Sequence, residues 1–172
     1  MKVLIVSDIH GGYDNLEKII TKETFDKLII LGDLYYYNFT SNDLQNDKII
    51  KLLQKHKDKL LLIRGNCDHY IDYEKVNLFA HDIITIPINN NRVTLTHGDV
   101  YSKGFMPEYH GNIFINGHTH IPVLYKENNI IYANPGSITS PRGCFYKSYM
   151  VFDNDKITLK EIDGSIIKEL EI

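Results

Sequence analysis

Residues able to do metal chemistry recur in this sequence just after short apolar runs. Asp8 and His10 follow the run at 3–6, Asp33 follows 28–31, and Asn66 follows 60–63. His97 follows 92–96, which alternates polar and apolar residues as a hairpin strand does, and His118 and His120 follow the apolar 113–115. Carboxylate and amide oxygens mixed with imidazoles suit Mn²⁺, Fe, Co²⁺, Ni²⁺ or Zn²⁺, whereas a structural zinc site draws on cysteines. These donors outnumber what one ion with open positions takes, so two ions sharing one carboxylate is the economical arrangement, with Asp33 the natural bridge. Asp8 and His10 stand at i and i+2, which in extended backbone turns both toward one ion. His118 and His120 do the same if their segment stays extended. If it curls into a loop they address different ions, a geometry that glycines such as Gly32, Gly65 and Gly117 permit.

The elements that must position these residues follow from periodicity. The run at 3–6 is almost continuously apolar, as in a strand buried on both faces. Over 14–22, Leu16, Ile19 and Ile20 recur at helical spacing, with Asp14 or Asn15 available as a cap. A second strand is expected over 25–31, a second helix over 41–55, and a third strand over 60–63 ending in Arg64-Gly65-Asn66-Cys67-Asp68. This βαβαβ order implies a parallel sheet with right-handed crossovers, whose ligands collect beyond the carboxyl ends of the strands. Farther on, 83–88 and 92–96 flank Asn89-Asn90-Asn91 as a hairpin. Short strands at 113–115, 123–125, 130–132, 148–152 and 157–162 complete two packed sheets flanked by helices, within a single domain spanning 1–172.

Composition excludes several classes. A net charge of −3 without a basic stripe argues against a nucleic-acid coat. Hydrophobic residues make up 43% of the 172 residues, enough for one core without disulfides. The two cysteines, Cys67 and Cys144, form no Cys-x-x-Cys pair and fit a reducing compartment. No run approaches the ~20 apolar residues of a membrane span, and the start lacks a secretory pattern, so a cytoplasmic protein is expected. His56, His69, His81 and His110 are read as ordinary surface or core residues, and Asp68 and Asp99 as turn caps or supports for ligands.

The ordered set Asp8-x-His10, Gly32-Asp33, Gly65-Asn66-x-Asp68, Thr96-His97-Gly98-Asp99 and Gly117-His118-Thr119-His120 resembles the calcineurin-like metallophosphoesterase family. The small single-domain YfcE-like branch is the nearest match, down to Asn134-Pro135-Gly136-Ser137. The resemblance covers roughly residues 1–145. It implies a four-layer α-β-β-α sandwich of two mixed sheets with a dinuclear metal site at strand ends. One ion would be held by Asp8, His10, Asp33 and His120, the other by Asp33, Asn66, His97 and His118. Asn66 and His97 would also be catalytic, in hydrolysis of phosphate esters by in-line attack of a metal-bridging hydroxide. Mn²⁺ is the first choice of ion, ahead of Ni²⁺, Fe, Co²⁺ or Zn²⁺. A homo-oligomer is a further implication.

The family implies phosphomonoesterase or phosphodiesterase activity, and the branch favours a small, nucleotide-like diester. A monoanionic diester needs few cationic clamps, and Arg64 and Arg142 alone lie near the candidate segments. Tyr35-Tyr36-Tyr37 is expected to pack, with a stacking wall for an aryl or base group as the second reading. Many relatives carry His directly after the Asn, where it can protonate the leaving group. Here Cys67 stands there, and a thiol with a pKa of ~8.5 suits activated leaving groups, with His69 a substitute acid. The competing reading is a non-catalytic protein-binding scaffold of the same fold, like retromer-subunit relatives. Such scaffolds tend to lose a metal-ligating histidine, and this chain keeps every one.

Overall fold

Strand β1 (Lys2–Val6) lies near the middle of a seven-stranded sheet and sends alternate side chains to two different cores. Leu4 and Val6 meet Leu16, Ile19 and Ile20 of helix α1 (Tyr13–Lys22) and Ile49, Leu52 and Leu53 of α2 (Leu44–Lys55). Val3 and Ile5 face a second sheet. The almost unbroken apolar run at the start of the chain is the signature of that double burial. The computed structural model describes residues 1–35, 44–74, 77–143 and 146–172. The expected start of the second helix at Ser41, as well as Tyr36, Tyr37 and Cys144, lies outside the described residues.

In the first sheet β1, β2 (Lys27–Ile30), β3 (Leu60–Ile63) and the two-residue β4 (Ala80–His81) run parallel. The second sheet contains β5 (Ile83–Ile88), β6 (Asn91–Thr96), β7 (Ile113–Asn116), β8 (Val123–Glu127) and β9 (Ile130–Asn134). There β5 and β6 form the expected hairpin, while β6, β7 and β9 are parallel. The chain then returns to the first sheet through β10 (Ser148–Asp153), β11 (Lys156–Glu161) and β12 (Ile166–Glu171), giving the order β12-β11-β10-β1-β2-β3-β4. Val93, Leu95, Ile113, Ile115 and Ile131 from the second sheet close the inter-sheet core against Val3, Ile5 and Ile29.

The two mixed sheets of the expected four-layer α-β-β-α sandwich are present, and α1 and α2 pack outside the first. The outer face of the second sheet is covered by the segment 97–112, with no helix there among the described residues. Gly111 N–H donates to Thr94 Oγ1 at 2.7 Å, and the Tyr132 hydroxyl reaches Met106 Sδ at 3.5 Å. What this architecture does for function is bring the carboxyl ends of β1, β2 and β3 to the same end of the sandwich as those of β6 and β7. No helix among the described residues is long and apolar enough to cross a membrane.

Candidate metal centre

Each of these strands ends in a loop that carries one or two of the candidate ligands, and the loops are pinned to one another through the backbone. Asp8 N–H donates to Gly32 O, His10 N–H to Asp33 O at 2.8 Å, and Gly117 N–H to His97 O at 2.7 Å. The approach is so close that a side chain on Gly65 would meet Asp33 Oδ1 at 2.2 Å and its backbone nitrogen at 2.3 Å. Asp8, His10, Asp33, His118 and His120 all adopt positive φ, between 44° and 66°. The expectation of an extended Asp8-x-His10 pair is therefore corrected: the strand has ended, and tight left-handed turns aim both side chains. His118-Thr119-His120 is likewise curled rather than extended, so its two histidines face different neighbours. Left-handed backbone costs a non-glycine residue about 1–2 kcal/mol, so five such residues in one site must be held by their surroundings.

Asp68 supplies much of that hold. Its buried carboxylate accepts from the backbone N–H groups of Asp33 (2.7 Å), Leu34 (2.9 Å) and Gly65 (2.9 Å) and from the Tyr73 hydroxyl (2.7 Å) on helix α3 (Tyr70–Glu74). Burial outweighs these bonds and raises its pKa, with the nearby Asp33 charge adding to the rise. A second brace comes from the loop after β9. Ser137 Oγ donates to Asp8 O at 2.8 Å and Thr139 Oγ1 to Ile9 O at 2.7 Å. The sequence marks Asn134-Pro135-Gly136-Ser137 as a motif and Ser137 as a loop stabiliser, and Ser137 Oγ does accept the N–H groups of Thr139 and Ser140; what the sequence does not show is that these hydroxyls reach back to the backbone of Asp8 and Ile9.

The side chains assemble in two overlapping groups. In the first, ligand atoms of Asp8, His10, Asp33 and His120 lie within 4.8 Å of one another. His10 Nε2 is 3.2 Å from His120 Nε2 and 3.6 Å from Asp33 Oδ2. In the second, Asn66 Oδ1 is 3.0 Å from His97 Nε2 and 2.8 Å from His118 Nδ1, and the two imidazole nitrogens are 3.3 Å apart. Asp33 Oδ2 is also 3.5 Å from His97 Nε2, so this one oxygen touches both groups. Its partner Oδ1 accepts the Cys67 N–H at 2.9 Å, which fixes the orientation of the carboxylate. Every candidate ligand read from the sequence is thus gathered here. Asp99 stays exposed, and Leu31 O, 2.6 Å from His97 Nδ1, is the carbonyl that orients that ring. Tyr35 is buried in the helix-side core, which is the packing role.

The donor set fits divalent cations on physical grounds. His97 Nδ1 faces Leu31 O and His120 Nδ1 faces Ser140 O, each at 2.6 Å, so a neutral ring donates there and turns the lone pair of Nε2 inward. Lone pairs then meet the oxygens of Asp8, Asp33 and Asn66 in a site that is buried at Asp8, Asp33 and His97 and open to the cleft at Asn66 and His118, an arrangement that a cation relieves. Asp8 is fully buried, its Oδ2 accepting from Ser7 Oγ and His118 N–H, while Oδ1 faces His120 Nε2 at 3.2 Å without an aligned hydrogen bond. Burial alone would raise the Asp8 pKa, but His120, His97 and the Ser7 hydroxyl outweigh it and hold the carboxyl below its ordinary range. The same Asp8 carboxylate raises the His120 pKa. Both shifts say that the pocket calls for positive charge. It opens into a cleft of about 370 Å³ lined by His10, Asp33, Asn66, Cys67, His118 and His120, with Ser140 and Arg142 at one wall.

The profile of the calcineurin-like phosphoesterase superfamily domain matches residues 1–156. The chain belongs to that superfamily. Among its relatives is phosphodiesterase YfcE of Escherichia coli strain K12, 32% identical over 187 aligned positions that cover 100% of this chain and 98% of that protein. A probable metallophosphoesterase of Methanocaldococcus jannaschii is 31% identical, covering 90% of this chain and 83% of the relative. The solved structure of the E. coli YfcE phosphoesterase superposes with a TM-score of 0.87 at 28% identity, covering both chains completely. Vacuolar protein sorting 29 from Cryptosporidium parvum shares the fold with a TM-score of 0.70 at 16% identity, over 99% of this chain and 98% of its own. That last likeness bears on the fold alone. The chain is homologous to YfcE and to metallophosphoesterases, and its Asp/His cluster is of the kind that divalent metals occupy.

Proposed function

We propose that this chain is a phosphodiesterase that hydrolyses small phosphate diesters at two divalent cations. Asp8, His10, Asp33 and His120 would hold one ion, and Asp33, Asn66, His97 and His118 the other. The observation that carries this reading is the position of Asp33 Oδ2, 3.6 Å from His10 Nε2 and 3.5 Å from His97 Nε2: one carboxylate oxygen between two nitrogen-rich groups. Full-length similarity to a protein named as a phosphodiesterase supports the choice of diesters.

Bound divalent ions supply Lewis acidity, lowering the pKa of water toward ~7 and neutralising charge as phosphorus is attacked. The remaining work falls to this chain's own residues. Asp33, clamped by the Cys67 N–H, keeps its second oxygen where both groups can share it. His97, locked on Leu31 O, presents Nε2 without rotating. Asn66 offers Oδ1 to the second group, leaving its NH₂, one edge of which lies 3.5 Å from Cys67 Sγ, to donate to a phosphoryl oxygen. Cys67 lines the cleft and His69 does not, so the thiol is the neighbour of the departing group, and activated esters are the better substrates. Mn²⁺ is the first ion to supply, and a cytosolic setting goes with the reading.

The test is metal-stripped protein reconstituted separately with Mn²⁺, Mg²⁺, Ni²⁺ and Zn²⁺ and assayed on bis-nitrophenyl and mono-nitrophenyl phosphate. Diester hydrolysis that returns with Mn²⁺ is the expected result. Preference for the monoester overturns the diester choice, and hydrolysis of neither returns the chain to a scaffold role.

A further inference from the structure

Of three cationic side chains in the metal cleft and two other pockets, two are already engaged. Arg64 Nε donates to Asp82 Oδ1 at 2.8 Å, and its guanidinium lies 4.7 Å from the centroid of the Tyr70 ring. Lys103 is paired with Glu127 and sits over the rings of Tyr125 and Tyr132, in a neighbouring pocket. Arg142 differs from both. Its exposed side chain lines the metal cleft, and its guanidinium makes no hydrogen bond or ion pair among the described residues. Among the described residues no other Lys or Arg lines that cleft.

The backbone that carries Arg142 is fastened on both sides of the site. Arg142 N–H donates to His120 O at 3.0 Å, and two residues earlier Ser140 O is 2.6 Å from His120 Nδ1. Ser137 Oγ accepts the N–H groups of Thr139 (3.1 Å) and Ser140 (2.8 Å) while donating to Asp8 O. A planar guanidinium with its full set of donors is thereby tethered at the His120 side of a cleft whose other lining groups are imidazoles, an amide, a thiol, a carboxylate and a hydroxyl.

We propose that Arg142 is the substrate-binding cation of this site, its guanidinium gripping the non-bridging oxygens of a phosphate ester. The assignment rests on the phosphoesterase reading above. Arginine suits the task because its parallel N–H groups can meet two phosphoryl oxygens at once, which the point charge of lysine cannot. It also gives the loop after β9 a functional reason for its strap: the hydroxyls that brace Asp8 hold the anion grip at a fixed distance from it.

The test compares wild type, R142A, R142K and the control K103A in the metal-loaded protein. The quantities measured are kcat and KM for bis-nitrophenyl phosphate, inhibition by inorganic phosphate, bound metal and Tm. R142A is expected to raise KM and the phosphate inhibition constant about tenfold or more, in line with loss of a charge-assisted hydrogen bond. Metal content and Tm should stay at wild-type values. R142K should recover part of the loss, and K103A should change KM less than about twofold, as a paired surface cation does. R142A with wild-type KM and phosphate inhibition overturns the assignment, and so does a fall in metal content that accounts for the loss. If wild type hydrolyses nothing, the phosphoesterase reading has failed separately. Phosphate binding followed by ³¹P NMR then decides for Arg142: weakening about tenfold in R142A supports the grip, while unchanged or absent binding overturns it.

Discussion

At the C-terminal end of α1, Glu23 is half-buried against partners that the chain itself supplies. Its Oε1 accepts from Lys160 Nζ at 2.7 Å and the Tyr149 hydroxyl at 2.8 Å, and its Oε2 meets Lys2 Nζ at 3.1 Å. At the N-terminal end of the same helix lies the candidate metal centre, where Asp8 is more deeply buried and its Oδ1 meets only the imidazole of His120, at 3.2 Å and without an aligned hydrogen bond. No lysine or arginine contacts Asp8 or Asp33 among the described residues; their neighbours are imidazoles. A buried carboxylate needs compensating charge in either place. Where it ties α1 to β1, β10 and β11, the sequence encodes the cation. Where chemistry happens, the positive charge must come from solution. Backbone conformation divides the same way. Outside the site, the described non-glycine residues at positive φ are Asn77, Asn89, Asn128, Asn129 and Asn154, a residue type that tolerates the left-handed region. Inside it, aspartates and histidines take up that strain.

The comparison breaks first at Asp33. Asp33→Asn should cut turnover by about 10³-fold or more, as loss of a central electrostatic group does. It should also abolish the Tm increase on adding Mn²⁺, while the metal-free variant unfolds within about 1 kcal/mol of metal-free wild type, since no encoded cation is orphaned. A large loss of metal-free stability would place Asp33 with Glu23 as a structural carboxylate. Asp68 comes next. It sits among the ligands yet is fully hydrogen-bonded, so Asp68→Ala should cost about 3 kcal/mol in urea unfolding by stranding the N–H groups of Asp33, Leu34 and Gly65. Metal addition tests the site end from outside. Mn²⁺ at about 100 times its Kd should stabilise wild type by about 2.7 kcal/mol and leave Asp33→Asn unmoved.

Much of this centre was legible because parallel strands buried on both faces make long apolar runs, and an abrupt Asp, Asn or His after such a run is conspicuous. That reasoning named all seven candidate ligands that the fold brings together, but not Ser7, Thr139 or Ser140 beside them. It could not find the backbone that aims them: side-chain type says that Asp8 and His10 are donors, but their left-handed turns arise from bonds to Gly32 O and Asp33 O in a distant segment. Asp68 was legible as a support but not as the acceptor of N–H groups from two separate loops. Strand β12 escaped for a different reason. It skips Ile167 opposite β11, a bulge that puts the inward Ile167 and Leu170 three apart and erases the alternation a strand is read by. Helix α3 and the two-residue β4 are too short to carry a period at all.

The smallest of these effects sharpens the comparison through pH. Lys160, Tyr149 and Lys2 overcome the burial that would raise the Glu23 pKa, and the carboxyl is lowered from an ordinary 4.5 to about 2. A carboxyl whose folded pKa is depressed stabilises the fold fully above its unfolded value and loses that contribution as pH falls through the folded one. Glu23→Gln should therefore cost about 1–2 kcal/mol in chemical unfolding at pH 7, the worth of charge-assisted hydrogen bonds reduced to neutral ones. The deficit should shrink below pH 4.5 and be mostly gone near pH 2, where half of the wild-type carboxyls have taken up the same proton. Because Glu23 is remote from the cleft, kcat and KM at pH 7 should be unchanged. A deficit that persists undiminished at pH 2 would show that the side chain acts through packing rather than charge, and the contrast between an internally neutralised end of α1 and an externally neutralised one would be lost.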